Sequence, residues 1–388
     1  MRILYISPYV PSVSASHAGG VCMGKQIETL CKKNDVILLT FINDDREKKL
    51  FEQLNVKEKF FVKSTKLTMI YRALLHLNLP AHFAIRSSVR FKKLIKKIIV
   101  NYKIEAIHAE YTALGQFVSI KQLYPKLVFN LVEHDVTYQS YQRTLESKQQ
   151  GLSKYLFKIQ LNKIRKYEKI WCESADNVFT FSSKDKDLLK KLYNLDNVYQ
   201  LNPFYGAISK MINKNDTNMK IPNSICFVGQ MGREENHEAA MKLIDIVKKI
   251  NDFKLEVFII GANPSDELLA MNSKNVHITG FVEDIENEIS KCQIAVFPLE
   301  HGAGIKLKVL LAFGLGLPVI TTAIGAEGID EQGEVLILVD DEKDYEKEMR
   351  RLISNGEYLY NKSIESMNYV NKHFDWKKTE KIFENIYK

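Results

Sequence analysis

The strongest constraint in this sequence is alternation. Short runs rich in β-branched and aromatic residues are separated by longer segments whose apolar residues recur at helical spacing, and chains ordered this way fold as helices layered on parallel sheets. The runs fall into two sets. Residues 2–7, 35–41, 105–110, 126–133, 177–182 and 197–201 make the first, and 224–229, 254–261, 276–279, 293–298, 318–322 and 335–339 make the second. Between the sets, Asn202-Pro-Phe-Tyr-Gly206, the polar stretch 214–218 and Ile221-Pro222 break both patterns, as a linker does. After Ser224 the alternation restarts, as if a second Rossmann-like unit began there. The tail reads as two helices, 358–374 and 376–387, broken at Phe374-Asp375.

With 45% apolar and 26% charged residues, disordered and low-complexity classes drop out. Cys22, Cys31, Cys172, Cys226 and Cys292 show no paired spacing, which argues against a disulfide framework and a zinc site and points to a reducing, cytoplasmic location. The first apolar run stops at Pro8, too short for a signal-peptide core, and no run reaches the ~18 residues of a membrane span. The net charge of +8 is unevenly spread: residues 1–205 carry +15 and residues 206–388 carry −7. Such asymmetry suits an anionic substrate or an anionic membrane surface, or is simply a solvated lysine-rich surface. Nucleic acid is not expected, because no basic and aromatic interleaving accompanies the charge. Arg86, Arg90, Lys92, Lys93, Lys96, Lys97 and Lys103 flank an apolar stripe of Leu94, Ile95, Ile98, Ile99 and Val100. A peripheral helix on lipid headgroups would look like this, and so would a helix packed on a sheet.

Four segments offer chemistry. The first strand leads through Pro8-Tyr-Val-Pro11 to Gly19-Gly20 and a helix, where backbone amides meet an anion at the positive end of the helix dipole. At the end of the fourth strand stands Val132-Glu133-His134-Asp135-Val136. An imidazole there either donates to a ligand, its tautomer held by a neighbouring carboxylate, or is structural. The segment from Pro298 to Thr322 runs from a strand through Gly302-Ala-Gly304-Ile-Lys306-Leu-Lys308 into an apolar helix. Loop amides, dipole and lysines there suit a phosphate dianion, with snorkelling lysines as the plainer reading. Asp185 and Asp187 spell a metal-binding pair but follow Ser182-Ser183, where carboxylates serve a helix start.

Together these residues resemble a GT-B-fold glycosyltransferase of the retaining family 4, or group 1, type. The resemblance rests on Phe227-Val-Gly229-Gln-Met, Val257-Phe-Ile-Ile-Gly261, Ile278-Thr-Gly-Phe281-Val-Glu-Asp284, the segment from Gly302 to Pro318 and Gly325-Ala-Glu-Gly328. It implies an α/β chain of two Rossmann-like domains facing across a cleft: 1–205 for the acceptor, 206–370 for a nucleotide sugar, and 371–388 crossing back as a helix to the first. It implies transfer of a hexose from a nucleotide-diphosphate sugar to a hydroxyl of a saccharide or lipid-linked acceptor, with retention and without a tightly held metal or other cofactor. That activity would serve polysaccharide or glycoconjugate synthesis at the cytoplasmic membrane face. His134 would lie over the reacting sugar. Donor diphosphate would meet Gly19, Gly20, Gly302, Ala303, Gly304, Ile305, Lys306 and Lys308, the base would meet Phe281 and Val282, and Glu300 stands near the ribose side. The family's second glutamate falls on Leu311, which leaves open a non-catalytic partner of an active transferase; a nucleotide-sugar epimerase on the same fold, which would need acid/base carboxylates in the cleft, is a further alternative.

Overall fold

The computed structural model describes residues 1–15, 17–147, 150–206, 220–250 and 255–388. The polar stretch 214–218 and Lys254 of the linker and strand expectations lie outside them. Two compact units result: Met1–Ala15 with Gly19–Pro203 and Trp376–Lys388, and Ser16–Ala18 with Phe204–Asp375.

The first unit runs β1 (Arg2–Ser7), α1 (Ala18–Cys31), β2 (Asp35–Ile42), α2 (Asp45–Gln53), β3 (Glu58–Lys63), α3 (Lys66–Leu75), α4 (Ala81–Ala84), α5 (Val89–Tyr102) and β4 (Ala106–Glu110). A 3₁₀ segment (Thr112–Gln122) follows, then β5 (Val128–Glu133), α6 (Thr137–Ser147), α7 (Leu152–Ser174), β6 (Asn177–Thr180), α8 (Ser183–Tyr193) and β7 (Val198–Gln200). Its strands pair in parallel in the order β3-β2-β1-β4-β5-β6-β7. The strand order reverses between β1 and β4, and in open α/β sheets that switch point opens a crevice at the carboxyl ends of the strands. Edge strand β3 was not among the expected runs, since Glu-Lys-Phe-Phe-Val-Lys carries three charges and buries only Val62.

The second unit runs β8 (Ser224–Val228), α9 (Glu234–Lys249), β9 (Glu256–Ile260), α10 (Asp266–Leu269), β10 (Val276–Gly280), α11 (Ile285–Ser290) and β11 (Ile294–Phe297). It continues through α12 (Leu307–Gly314), β12 (Val319–Thr321), β13 (Ile337–Leu338), α13 (Glu342–Ser354) and α14 (Gly356–His373). The order β10-β9-β8-β11-β12-β13 repeats the same reversal, here between β8 and β11.

The closing helix α15 (Lys377–Ile386) belongs to the first unit. Thr379 Oγ1 accepts from Asn202 N and donates to Asn202 O, each at 2.8 Å. Lys32 pairs with Glu380 at 2.7 Å and Lys33 with Glu384 at 2.6 Å, while Phe383 and Tyr387 are buried. Helix α5 departs from the membrane expectation. Its stripe of Phe91, Ile95, Ile98 and Ile99 is buried in the sheet core, with Phe91 stacked on Phe41 at 4.4 Å, while Val89 and Val100 are exposed beside the lysines. Each such side chain contributes on the order of 1.5–3 kcal/mol by leaving water, which a lipid-facing stripe would forfeit. No helix among the described residues is long and apolar enough to cross a membrane.

Candidate functional site

In the first unit the switch point gathers one hydrogen-bonded cluster. Glu110, the last residue of β4, is buried and accepts hydrogen bonds from the Tyr5 hydroxyl on β1, from His108 Nε2 at 3.1 Å and from His134 Nε2 at 2.6 Å. Burial alone would raise this carboxyl, but the two imidazole hydrogen bonds and their charge outweigh it and hold Glu110 at about 2. His108 gives its Nε2 proton to Glu110, so in neutral form it accepts from the Tyr387 hydroxyl at Nδ1, 2.5 Å away. His134 also turns Nε2 inward, and its Nδ1 has no partner among the described residues. Its ring lies parallel to Tyr111 at 3.7 Å and meets the edge of Phe181 at 5.0 Å. Tyr111 holds that position at φ 68° and ψ 143°, a region non-glycine residues avoid at a cost of about 1–3 kcal/mol. An imidazole fixed at Nε2 by a carboxylate and open at Nδ1 accepts a proton when neutral, or donates one when charged beside Glu110.

The carboxylate that orients His134 is therefore Glu110, neither Glu133 nor Asp135. Glu110 pairs in register with Val132, so alternation sends Glu133 to the opposite face of the sheet. There Glu133 accepts from the Thr112 hydroxyl and, at 3.5 Å, from Cys172 Sγ. Burial, and then the charge of Glu168, keeps Glu133 well above the usual carboxylate range. Gly19 and Gly20 occupy the first turn of α1, and the Gly20 carbonyl accepts from Ser12 N at 3.2 Å. The glycine on which this docking depends is Gly24, whose Cβ would lie 2.3 Å from Val13 N. Asp185 serves its helix start, taking the Ser182 hydroxyl at 2.8 Å.

In the second unit the switch point lies between β8 and β11, and the loop 302–308 follows β11. Gly302 at φ 120° and Gly304 at φ 67° bend the loop as only glycine does cheaply. Lys306 Nζ donates back to Gly304 O at 2.6 Å and lies 3.9 Å from the buried Glu327 carboxylate. Lys308, in the first turn of α12, sits over the rings of Phe227 (4.9 Å) and Phe297 (5.9 Å) and donates to Asn236 Oδ1 at 2.5 Å. Burial, then the like charge of Lys306, lowers the Lys308 amine to about 7, against a smaller opposing pull from Glu235. Asn236 in turn donates to Gln230 O at 2.9 Å and packs over Gly229, where a Cβ would lie 2.9 Å away. Two cations at a helix start, one of them strained by its neighbour, make a place that an anion stabilises.

The other expected donor residues spread around this centre. Phe281 is half exposed just after β10, with Val282 packed against the core. Ala303 is half-buried and Ile305 lies on the core. Glu300 is exposed and paired with Lys242. Leu311 borders Gly206, as does the Glu286 carboxylate. Sequence reasoning passed over Tyr5 on β1, His108 and Glu110 on β4, Asn236 on α9 and Tyr387 just after α15. For Glu110 a signal existed, an acidic residue closing a central strand; for Asn236 there was none.

Residues 222–355 match the family model for glycosyl transferases group 1. An uncharacterized 44.6 kDa protein in the cps region of Klebsiella pneumoniae is 24% identical over 178 residues, an alignment that spans 42% of this chain and 45% of that protein. Among solved structures, sucrose-phosphate synthase from Thermosynechococcus elongatus is similar with a TM-score of 0.75 at 17% identity, covering 100% of this chain and 98% of that one. HepE from Anabaena, solved with UDP and glucose, is similar with a TM-score of 0.71 at 12% identity, covering 99% and 98%. The chain has the GT-B fold, and within it residues 222–355 are similar to the glycosyl transferases group 1 family.

Proposed function

We propose that the protein transfers a hexose from a nucleotide-diphosphate sugar to a hydroxyl of a saccharide or lipid-linked acceptor, with retention, without a tightly held metal, in the synthesis of a cell-surface polysaccharide. The observation that carries this reading is the pair Lys306 and Lys308 on a glycine loop at a helix start, within the stretch matched by the family model. A diphosphate leaving group needs fixed positive charge as the sugar departs, and loop amides, dipole and lysines supply it. His134 takes the role of polarising or proton-accepting group, and Phe281 that of a stacking surface for the base. The UDP and glucose bound in HepE support a uridine nucleotide as donor, and the cps-region relative supports a polysaccharide product.

The test is calorimetric titration of UDP and other nucleoside diphosphates into the full chain. Binding is expected for one of them, and Lys306→Ala should weaken it more than Lys308→Ala, because Lys306 belongs to the glycine loop whereas Lys308 stands in the helix, held on Asn236 and over the Phe227 ring. Wild-type affinity in both variants would remove the loop from the reading. Contact with an anionic membrane face, part of the same reading, passes from α5 to α3 and the start of α7. Leu67, Ile70, Tyr71, Leu74 and Leu75, with Leu152, Tyr155, Leu156 and Ile159, are exposed there. Lys163 Nζ on Leu77 O (2.6 Å) and Ala81 N on Gln160 Oε1 (2.9 Å) join α7 to the chain that follows α3.

A further inference from the structure

Between Glu58 and Glu105 the sequence holds eleven Lys and Arg and no Asp or Glu. Two of those cations are largely buried. Arg72 is 8% exposed and Arg86 4%. They meet at the carboxyl ends of β1, β2 and β3, where an open α/β sheet holds ligands. The Arg86 guanidinium lies over Tyr9 (4.9 Å) and Phe41 (5.4 Å), and that of Arg72 over the same Phe41 ring (5.1 Å). One hydroxyl, Ser64 Oγ, accepts from Nη1 of both, at 3.1 Å from Arg72 and 3.5 Å from Arg86.

The two forks are occupied to different degrees. Arg72 also donates to Ile85 O at 3.2 Å and to Lys63 O at 3.3 Å, which makes it a brace. Arg86 Nη1 reaches Asn43 Oδ1 at 2.9 Å, but its Nε and Nη2 donate to nothing among the described residues and are not sealed from solvent. Neither guanidinium has a carboxylate within 4 Å among the described residues. The acid beside them, Glu47, spends one oxygen on Asn43 N (2.7 Å) and Nδ2 (2.8 Å) instead. Buried charges are otherwise paired, and the exposed edge of a guanidinium matches the two oxygens of a carboxylate or phosphate. The position also suits the chemistry: the Tyr9 ring under Arg86 meets Tyr111 edge-on at 5.9 Å, and Tyr111 is the ring on which His134 lies.

We propose that the first unit binds an anionic group of the acceptor, a phosphate or a carboxylate, on the Nε and Nη2 edge of Arg86, with Arg72 as its braced second cation. That the anion belongs to an acceptor rests on the transfer reading above; that Arg86 holds an anion does not.

Farnesyl phosphate and glucuronate, with farnesol and glucose as uncharged counterparts, are titrated calorimetrically into wild type, Arg86→Gln and Arg86→Lys, with thermal melts of each. At least one charged probe should bind wild type about ten-fold or more tightly than its counterpart, the scale of one charge-assisted fork. Preference for farnesyl phosphate would assign a lipid-linked phosphate, and preference for glucuronate an acidic saccharide. The preference should vanish in Arg86→Gln and fall in Arg86→Lys, which keeps the charge without the planar fork. No preference in wild type overturns the proposal. So does an undiminished preference in folded Arg86→Gln, or in Arg86→Lys if the first variant does not fold. UDP titrated into the same samples separates the readings, because its failure to bind counts against the proposed uridine donor and leaves the anion site standing.

Discussion

His134 offers one nitrogen to Glu110 and keeps the other open, and that division sets what its loss should do. His134→Ala is expected to lower turnover by about 10²–10⁴ with the melting temperature little changed, the scale of one positioned proton-transfer group. Glu110→Gln should lower it less, since an amide oxygen still accepts from Nε2 while the charge that favours the imidazolium is gone. A rate unchanged in both variants would return the cluster to a structural role. Lys308 makes a pH prediction. Its amine sits at about 7 in the free protein, so above that pH it is mostly neutral, and a bound diphosphate restores the charged form. Binding should therefore take up a proton at pH 8, and affinity should fall as pH rises from 7 toward 9. Calorimetry in two buffers of different ionisation heat reads the uptake directly, and Lys308→Met should abolish it. His134 and Lys306 were legible in sequence because each ends a strand or opens a helix. Glu110 and Asn236 act through partners 24 and 72 positions away, which no local pattern encodes.

At the scale of elements, the central strands could be read from β-branched runs because parallel strands covered on both faces are apolar throughout. β3 escaped because an edge strand needs only one buried residue. The same logic explains α5: its amphipathic pattern was plain, but pattern alone does not say whether an apolar stripe meets a sheet or a bilayer. The exposed leucines and tyrosines of α3 and α7 carry the membrane prediction instead. Vesicles with anionic lipid should retain the protein at low salt. Binding should fall as the screening length drops from about 10 Å at 0.1 M to about 3 Å at 1 M. Leu74→Asp with Tyr155→Asp should reduce sedimentation more than Lys92→Gln with Lys93→Gln. Equal recovery with neutral vesicles, or a larger effect of the α5 pair, would sink this assignment.

For the whole molecule, the alternation announced two parallel sheets, whereas neither their strand orders nor the hydrogen bonds that seat α15 could be read that way. Removing residues 376–388 empties the seats of Phe383 and Tyr387, and large buried side chains cost about 3–5 kcal/mol each when deleted. A first-unit melting temperature lower by about 10 °C or more is expected, with nucleotide binding by the second unit retained. A truncated chain that melts like wild type would show that α15 only rests on the surface. Tyr387→Phe is the milder probe, losing a single hydrogen bond to His108 worth about 1 kcal/mol. The discontinuity of the first unit also bears on how the chain is made. A ribosome delivers residues 1–203 early, but the piece that completes their core arrives only after 204–375 have emerged. The second unit can close while still tethered, and the first must wait. A polypeptide that stops short of Lys377–Ile386 is thus left with an open apolar seat where Phe383 and Tyr387 would lie, a surface that a protease can sample.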